Sequence, residues 1–261
     1  MESQIVNIGP YHLAIGVVFI VVAGLTSLYH SLQLEKDLII GTVRTFVQLF
    51  MLGYVLKFVF SINNAVLVLA VFGFMTFFAA WTIHGRVKEK EISFFMPVFL
   101  SMVISFFTVS FVVTAVIVDV QPWWEPRYFI PMGGMVIGNS MNAIAIALER
   151  MLGEIRTKRN EIEMKLCMGA DSTEASKDIV KNAMQAGMIP SINSMMAVGM
   201  VFIPGMMTGQ ILGGSDPITA IKYQIVVMVM ITGATAIGTL LVVVLVRRRC
   251  FNKAVQLVVG K

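Results

Sequence analysis

The chain has 261 residues, of which 57% are hydrophobic and 13% charged, with a formal net charge of +5. A soluble domain carries about a quarter charged residues; here the apolar residues run in blocks of about twenty, the length that crosses a hydrocarbon core of about 30 Å. That leaves no room for a soluble catalytic domain, and continuous blocks argue against the alternating pattern of a closed β-barrel.

The expected fold is an all-α integral membrane protein of about seven spans, a single transmembrane domain over residues 1–261. Span 1 is read at Tyr11–Leu28. It has no basic residue before it and no small-residue cleavage site, so it reads as a retained helix rather than a removed signal. Span 2 is Leu38–Phe60, with a tight turn at Ser61–Asn64, and span 3 is Ala65–Ile83, closed by the polar run from His84 to Lys90. Span 4 is Phe94–Val118. A loop with Pro122, Trp123, Trp124 and Pro126 follows, its tryptophans read as interfacial anchors. Span 5 is Tyr128–Leu148, span 6 Met188–Leu212 and span 7 Ile218–Val246, ahead of a basic tail.

The loops at 30–37, 85–93 and 149–187 and the tail from Arg247 hold sixteen of the twenty Lys and Arg residues. The positive-inside bias therefore puts the N-terminus outside and the C-terminus in the cytosol, in a plasma (inner) membrane surrounded by lipid. The positive charge follows topology and calls for no nucleic acid. Cys167 and Cys250 both fall on the cytosolic side and read as reduced thiols.

Residues 149–187 form the long polar run, with seven basic and seven acidic side chains. Leu148, Leu152, Ile155, Ile162 and Leu166 recur at helical spacing, interrupted by Arg159, which predicts an amphipathic helix continuing span 5 into the cytosol. Gly169 is a candidate stop. Asp171 with Glu174 three residues on has the form of a capping box opening a second helix, with Ala175, Ile179 and Ala183 on one face. The expectation is a cytosolic helix-turn-helix between spans 5 and 6. A solvated loop with helical propensity is the other reading.

Glu163, Gly169 six residues later and Ile179 ten after that resemble the EAA signature of ABC-transporter permeases, although Met164 and Lys165 stand at its two alanines and Lys181-Asn182 at its Leu-Pro. A wider set is similar to the Fet-type iron-export ABC permeases. It comprises Leu34-Glu35-Lys36-Asp37, Gly53-Tyr54-Val55-Leu56-Lys57, Gly134-Met135 with Gly138-Asn139, Gly169-Ala170 with Ala175, Pro204-Gly205-Met206-Met207 and Ala220 to Ile225. The resemblance implies the membrane subunit of an exporter of iron or another metal species, with plant relatives tied to aluminium tolerance. It implies a separate cytosolic ABC ATPase and a permease homodimer in a two-plus-two complex. The coupling residues would be Glu163, Gly169, Ala170, Asp171, Glu174 and Ile179. No G-x-x-x-x-G-K-[ST] loop exists in the chain, so it is read as no enzyme and as binding no cofactor itself. ATP and Mg belong to the partner.

Candidate path residues are Arg44, Gln48, Met135, Asn139, Asn142, Asn193, Pro204 and Gly205. Gly134 and Gly138 with Asn139, Ser140 and Asn142 form either a packing seam or a seam beside the pathway. Ser191, Asn193 and Ser194 precede Pro204-Gly205, where a kink or break is expected. Arg44 and Gln48 share one face of span 2. Arg44 either snorkels, pairs internally or lines the path, and in the last case it would repel a free cation and favour a complexed or anionic substrate. Met195, Met196, Met200, Met206 and Met207 crowd span 6, as flexible core or as soft ligands suited to Cu(I). No metal-ligand set is legible in the spans. Two rivals are an ion-coupled secondary transporter, whose mark would be a relay of membrane carboxylates, and a non-transporting scaffold or sensor.

Overall fold

The computed structural model describes residues 9–87, 92–252 and 254–259. Lys88, Glu89 and Lys90 of the basic loop, and Lys253 and Lys261 of the tail, lie outside the described residues. The described chain is helical, with only isolated bridges outside the helices. It divides into two compact units, residues 1–63 with 212–214, and residues 64–211 with 215–261.

In the first unit, α1 (Pro10–Tyr29) opens on a proline, which loses nothing at a first turn where the N–H has no helical partner. A short reversal with positive φ at Ser31 and Gln33 leads into α2 (Glu35–Ile62). The buried Ser27 hydroxyl donates to Glu35 Oε1 at 2.7 Å and accepts from the Leu34 N–H at 3.1 Å, so one side chain ties the end of α1 to the start of α2. Asn63 ends α2 in the left-handed region at φ 46°, a conformation asparagine tolerates better than most residues.

The second unit holds α3 (Ala65–Arg86), α4 (Phe95–Val112) with a terminal π-turn at Val113–Ile117, α5 (Pro126–Thr157), α6 (Arg159–Cys167), α7 (Ser172–Ala175), α8 (Lys177–Ala197), α9 (Gly205–Leu212) and α10 (Pro217–Arg249). The core runs along α5, with Ile144, Leu148, Met151 and Ile155 fully buried. Small residues set the helix spacings. A Cβ on Gly187 of α8 would lie 2.8 Å from the Ala143 carbonyl oxygen and 3.0 Å from the Ala147 Cβ, so α8 meets α5 almost backbone to backbone. A Cβ on Gly133 would meet the Phe72 ring at 2.8 Å and one on Gly134 the Met75 Cε at 3.1 Å, whereas Gly138 faces open space. The packing seam expected at Gly134 and Gly138 is therefore centred at Gly133 and Gly134. Ser140 and Thr235 pair their hydroxyls at 3.0 Å and join α5 to α10. Trp123 packs against Phe111 and Phe129 at centroid distances of 5.1 and 5.7 Å, so part of its ring is used inside the protein.

Six described helices are long and apolar enough to cross a membrane: α1, α2, α3, α4 with its π-turn, α5 and α10. The stretch expected as span 6 is not one helix. The last ten residues of α8 carry the chain from Met188 to Ala197, residues 198–204 are non-helical, and α9 resumes at Gly205. The break thus begins six residues before the Pro204-Gly205 pair. Gly199 takes φ +84°, which reverses the backbone, and its N–H donates to the Phe202 carbonyl at 3.0 Å. Pro204 has no N–H to continue a helix and disfavours helical geometry at Ile203.

Candidate functional site

Two regions gather the residues that could act, and both interrupt a helix. The first is the corner at 158–176. The α5 stripe continues as expected, with Leu148, Leu152, Ile155 and Ile162 buried. Lys158 separates α5 from α6, and Gly169 at φ +97° ends the run, a conformation that suits glycine. Asp171 then caps α7: its Oδ1 accepts from the Thr173 and Glu174 N–H groups at 2.6 and 2.8 Å, while Glu174 Oε2 accepts from the Asp171 N–H at 3.2 Å. The Glu174 and Thr173 N–H groups hold the Asp171 carboxyl below its ordinary value, since they bond the charged carboxylate more strongly than the neutral acid, and Arg247 adds to the effect.

Ion pairs brace the same corner. Arg159 Nε donates to Glu163 Oε1 at 2.8 Å, which explains the charged interruption of the stripe. Lys165 pairs with Glu161 at 2.8 Å and reaches Asp178 of α8 at 4.0 Å. The Lys165 hydrogen bond lowers the Glu161 carboxyl and raises the Lys165 amine. Asn182 of α8 donates to Glu154 Oε2 of α5 at 3.2 Å, so the returning helix is bonded to the outgoing one. Of the predicted coupling residues, Gly169, Asp171 and Glu174 are exposed, Glu163 and Ala170 half-buried, and Ile179 buried with Ala175 and Ala183 against the bundle. Sequence reasoning misses Met164 and Met168. They stand four apart, 56% and 79% exposed, at the tip of a polar run. The tail folds back here: the Val258 N–H donates to the Cys250 carbonyl at 2.8 Å, and Leu257 and Val259 are buried. A groove of about 670 Å³ lies between the corner and Asn252 with residues 254–258, with the exposed Cys167 on its wall.

The second region is a chamber of about 410 Å³ under the break, walled by α5, α8, residues 202–206 and α10. It brings together Met135, Asn139, Asn142, Pro204 and Gly205 from the predicted path, with Ser191 and Ser194. Asn193 is exposed on α8 and is not on its wall; Arg44 and Gln48 are exposed on α2 of the first unit. Asn139 Nδ2 donates to the Met135 carbonyl at 2.8 Å. Asn142 Oδ1 accepts from Arg86 Nη1 at 2.8 Å, a link from the end of α3 that spacing does not reveal. The Thr232 hydroxyl sits 3.0 Å from the Met228 carbonyl and 2.9 Å from the Met195 sulfur.

Gln224 of α10 is also missed from sequence. It is 6% exposed, and its Oε1 is buried with no hydrogen-bond partner. It lines this chamber and a second, more apolar one of about 450 Å³ on the other side of the break, walled by Met195, Met207 and Met228 among others. Leaving such an acceptor unpaired costs about 1–3 kcal/mol. The available signal was a lone carboxamide in an apolar block. Among the described residues no three His, Cys, Asp or Glu side chains come together as metal ligands.

These features define a polytopic helical membrane protein with a polar chamber at a broken helix and a braced corner outside the apolar spans. The chain belongs to the uncharacterised protein family UPF0014, whose model matches residues 10–251. It is 38% identical over 233 residues to a UPF0014 membrane protein of Synechocystis sp., covering 88% of this chain and 89% of the relative. It is 35% identical over 255 residues to the probable iron export permease protein FetB of Escherichia coli, 97% of this chain and 96% of that one. It is 32% identical over 244 residues to Protein ALUMINUM SENSITIVE 3 of Arabidopsis thaliana, 94% and 88% respectively. No solved structure gives a significant match. The resemblance to the Fet-type permeases is thus upheld, and the chain is a membrane protein of a family that includes a named permease.

Proposed function

We propose that this chain is the membrane subunit of an ABC exporter that moves iron or another metal species out of the cytosol with ATP and Mg handled by a separate ATPase. In this reading the two compact units form one permease domain, and α8 with α9 makes a seventh, broken crossing. The N-terminus is outside and the C-terminus cytosolic. Two permeases assemble with two ATPases, and residues 149–187 are the coupling segment.

The corner carries this reading. A transmitting element must be stiff, and here the Asp171–Glu174 capping box and the Arg159–Glu163 and Lys165–Glu161 ion pairs brace the turn. It must also offer a partner something to grip, and Met164 and Met168 do so. The corner joins through α5 and α8 to both the chamber wall and the break, so a push on it moves the helices that hold Asn139, Ser191 and Pro204. Broken backbone at membrane depth is tolerated where it lines a cavity or is buried in protein, which is how a transport path uses it. The near full-length relationship to a probable iron export permease supports the direction and the cargo.

The test is a gentle-detergent pull-down of this chain from its native host. The expected result is an ABC ATPase in stoichiometric amount, lost with Met168→Glu. An intact, folded chain that brings down no ATPase in several detergents would return the choice to a secondary transporter or a scaffold.

A further inference from the structure

We infer that the chamber recognises its cargo through the Gln224 carboxamide, and that the cargo is a metal still wrapped in its own ligands rather than a bare ion. The inference rests on the exporter reading and goes beyond it to the form of the substrate. Three observations carry it.

The first is the chemistry of the wall. Its polar groups are the carboxamides of Asn139, Asn142 and Gln224 and the hydroxyls of Ser191, Ser194 and Thr232, all neutral. Hard divalent and trivalent cations give up water only for charged or strongly donating ligands. Neutral amides and hydroxyls instead suit hydrogen bonds to the outside of an intact complex. The second is size. A liquid water occupies about 30 Å³, so six around a metal need about 180 Å³. The chamber, at about 410 Å³, holds a complex of that size with room to turn, and is far too large to grip a naked ion. The third is the unpaired acceptor. Gln224 Oε1 is buried on the wall shared by both cavities and has no donor from the protein. A cargo presenting O–H or N–H groups at its surface supplies that donor as it passes from one chamber to the other.

The complex with this outer chemistry carries O–H or N–H donors around the metal, as an aqua- or ammine-type complex does. The full-length chain in lipid nanodiscs is titrated by calorimetry with hexaamminecobalt(III), which presents N–H donors, with cobalt(III)–EDTA, which presents only acceptor oxygens, both too inert to shed ligands, and with labile Fe(II) under anoxia. The expected result is saturable binding of hexaamminecobalt(III) and not of cobalt(III)–EDTA, weakened about ten-fold by the loss of one hydrogen bond in Gln224→Leu. Gln224→Met serves as a second variant that keeps side-chain length among the chamber's methionines. Binding of cobalt(III)–EDTA in place of hexaamminecobalt(III) overturns the inference. Binding of Fe(II) alone, or inert-complex binding unchanged in both variants, overturns the inference while leaving the exporter reading in place. Binding of none of the three overturns both the inference and the metal cargo, whereas a failed ATPase pull-down strikes the exporter class itself.

Discussion

The Gly169 corner and the 198–204 break are both places where a long helix stops, and they are built in opposite ways. At the corner, loose polar ends are satisfied. Asp171 and Glu174 cap each other, Glu163 holds Arg159, and Glu154 holds Asn182 across two helices. Around the break two polar side chains are not: Gln224 Oε1 on α10 and Gln210 Oε1 on α9 are buried without partners, and Gln224, Asn139 and Ser191 line a chamber. A fully bonded turn resists bending and passes on displacement; an incompletely bonded one stays open to a guest. In the exporter reading, the same chain separates the part that receives force from the part that receives cargo.

The largest expected effect comes from blunting the corner's apolar tip. Met168→Glu changes an exposed side chain without straining the backbone and should reduce ATPase recovery more than ten-fold, read by quantitative pull-down. Gly169→Trp should do the same and uncouple ATP hydrolysis from transport, with the added strain of a side chain at φ +97°. If either protein still couples normally, the corner is not the docking element. At the chamber, Asn139→Leu should lower transport about ten-fold in inverted vesicles while ATPase recovery stays near that of the parent. Equal loss of both would collapse the distinction between the two regions and make Asn139 a packing residue.

Gly187→Leu tests the link between them. The added side chain meets the Ala143 carbonyl and forces α8 from α5, an overpacking worth about 1–3 kcal/mol. It should lower the thermal midpoint and weaken docking and transport together. The smallest effect is that of pH. The Asp171 carboxyl is held below its ordinary value of 3.8 by its backbone hydrogen bonds. A carboxyl with a depressed folded pKa stabilises above its unfolded pKa and loses that contribution as pH falls through the folded one. ATPase recovery should therefore be flat around neutral pH and fall only below the usual aspartate range. Amide protection factors at Thr173 and Glu174, corrected for intrinsic exchange, that fall near neutrality would contradict the cap.

Much of this was legible in the chain itself. Apolar blocks foretold α1 to α5 and α10, because a span must bond its own backbone and so is written as one continuous run. The buried stripe from Leu148 to Ile162, the Gly169 stop and the Asp171–Glu174 cap were also readable, since each is a contact within a few residues. Span 6 was read with a kink or break, but its place was missed, because hydropathy does not register a backbone reversal. The break was expected at Pro204, whereas Gly199 already turns the chain.

What only the tertiary structure decided is which polar residues meet. Arg86 is 56 positions from Asn142, and Ser140 is 95 from Thr235. Gln224 becomes a candidate only because α5, α8 and the break leave its oxygen without a donor. Local periodicity and caps depend on neighbours in sequence, so composition and spacing determined the class, the spans and the corner. A cavity is the space that distant helices fail to fill, and its chemistry follows from their packing.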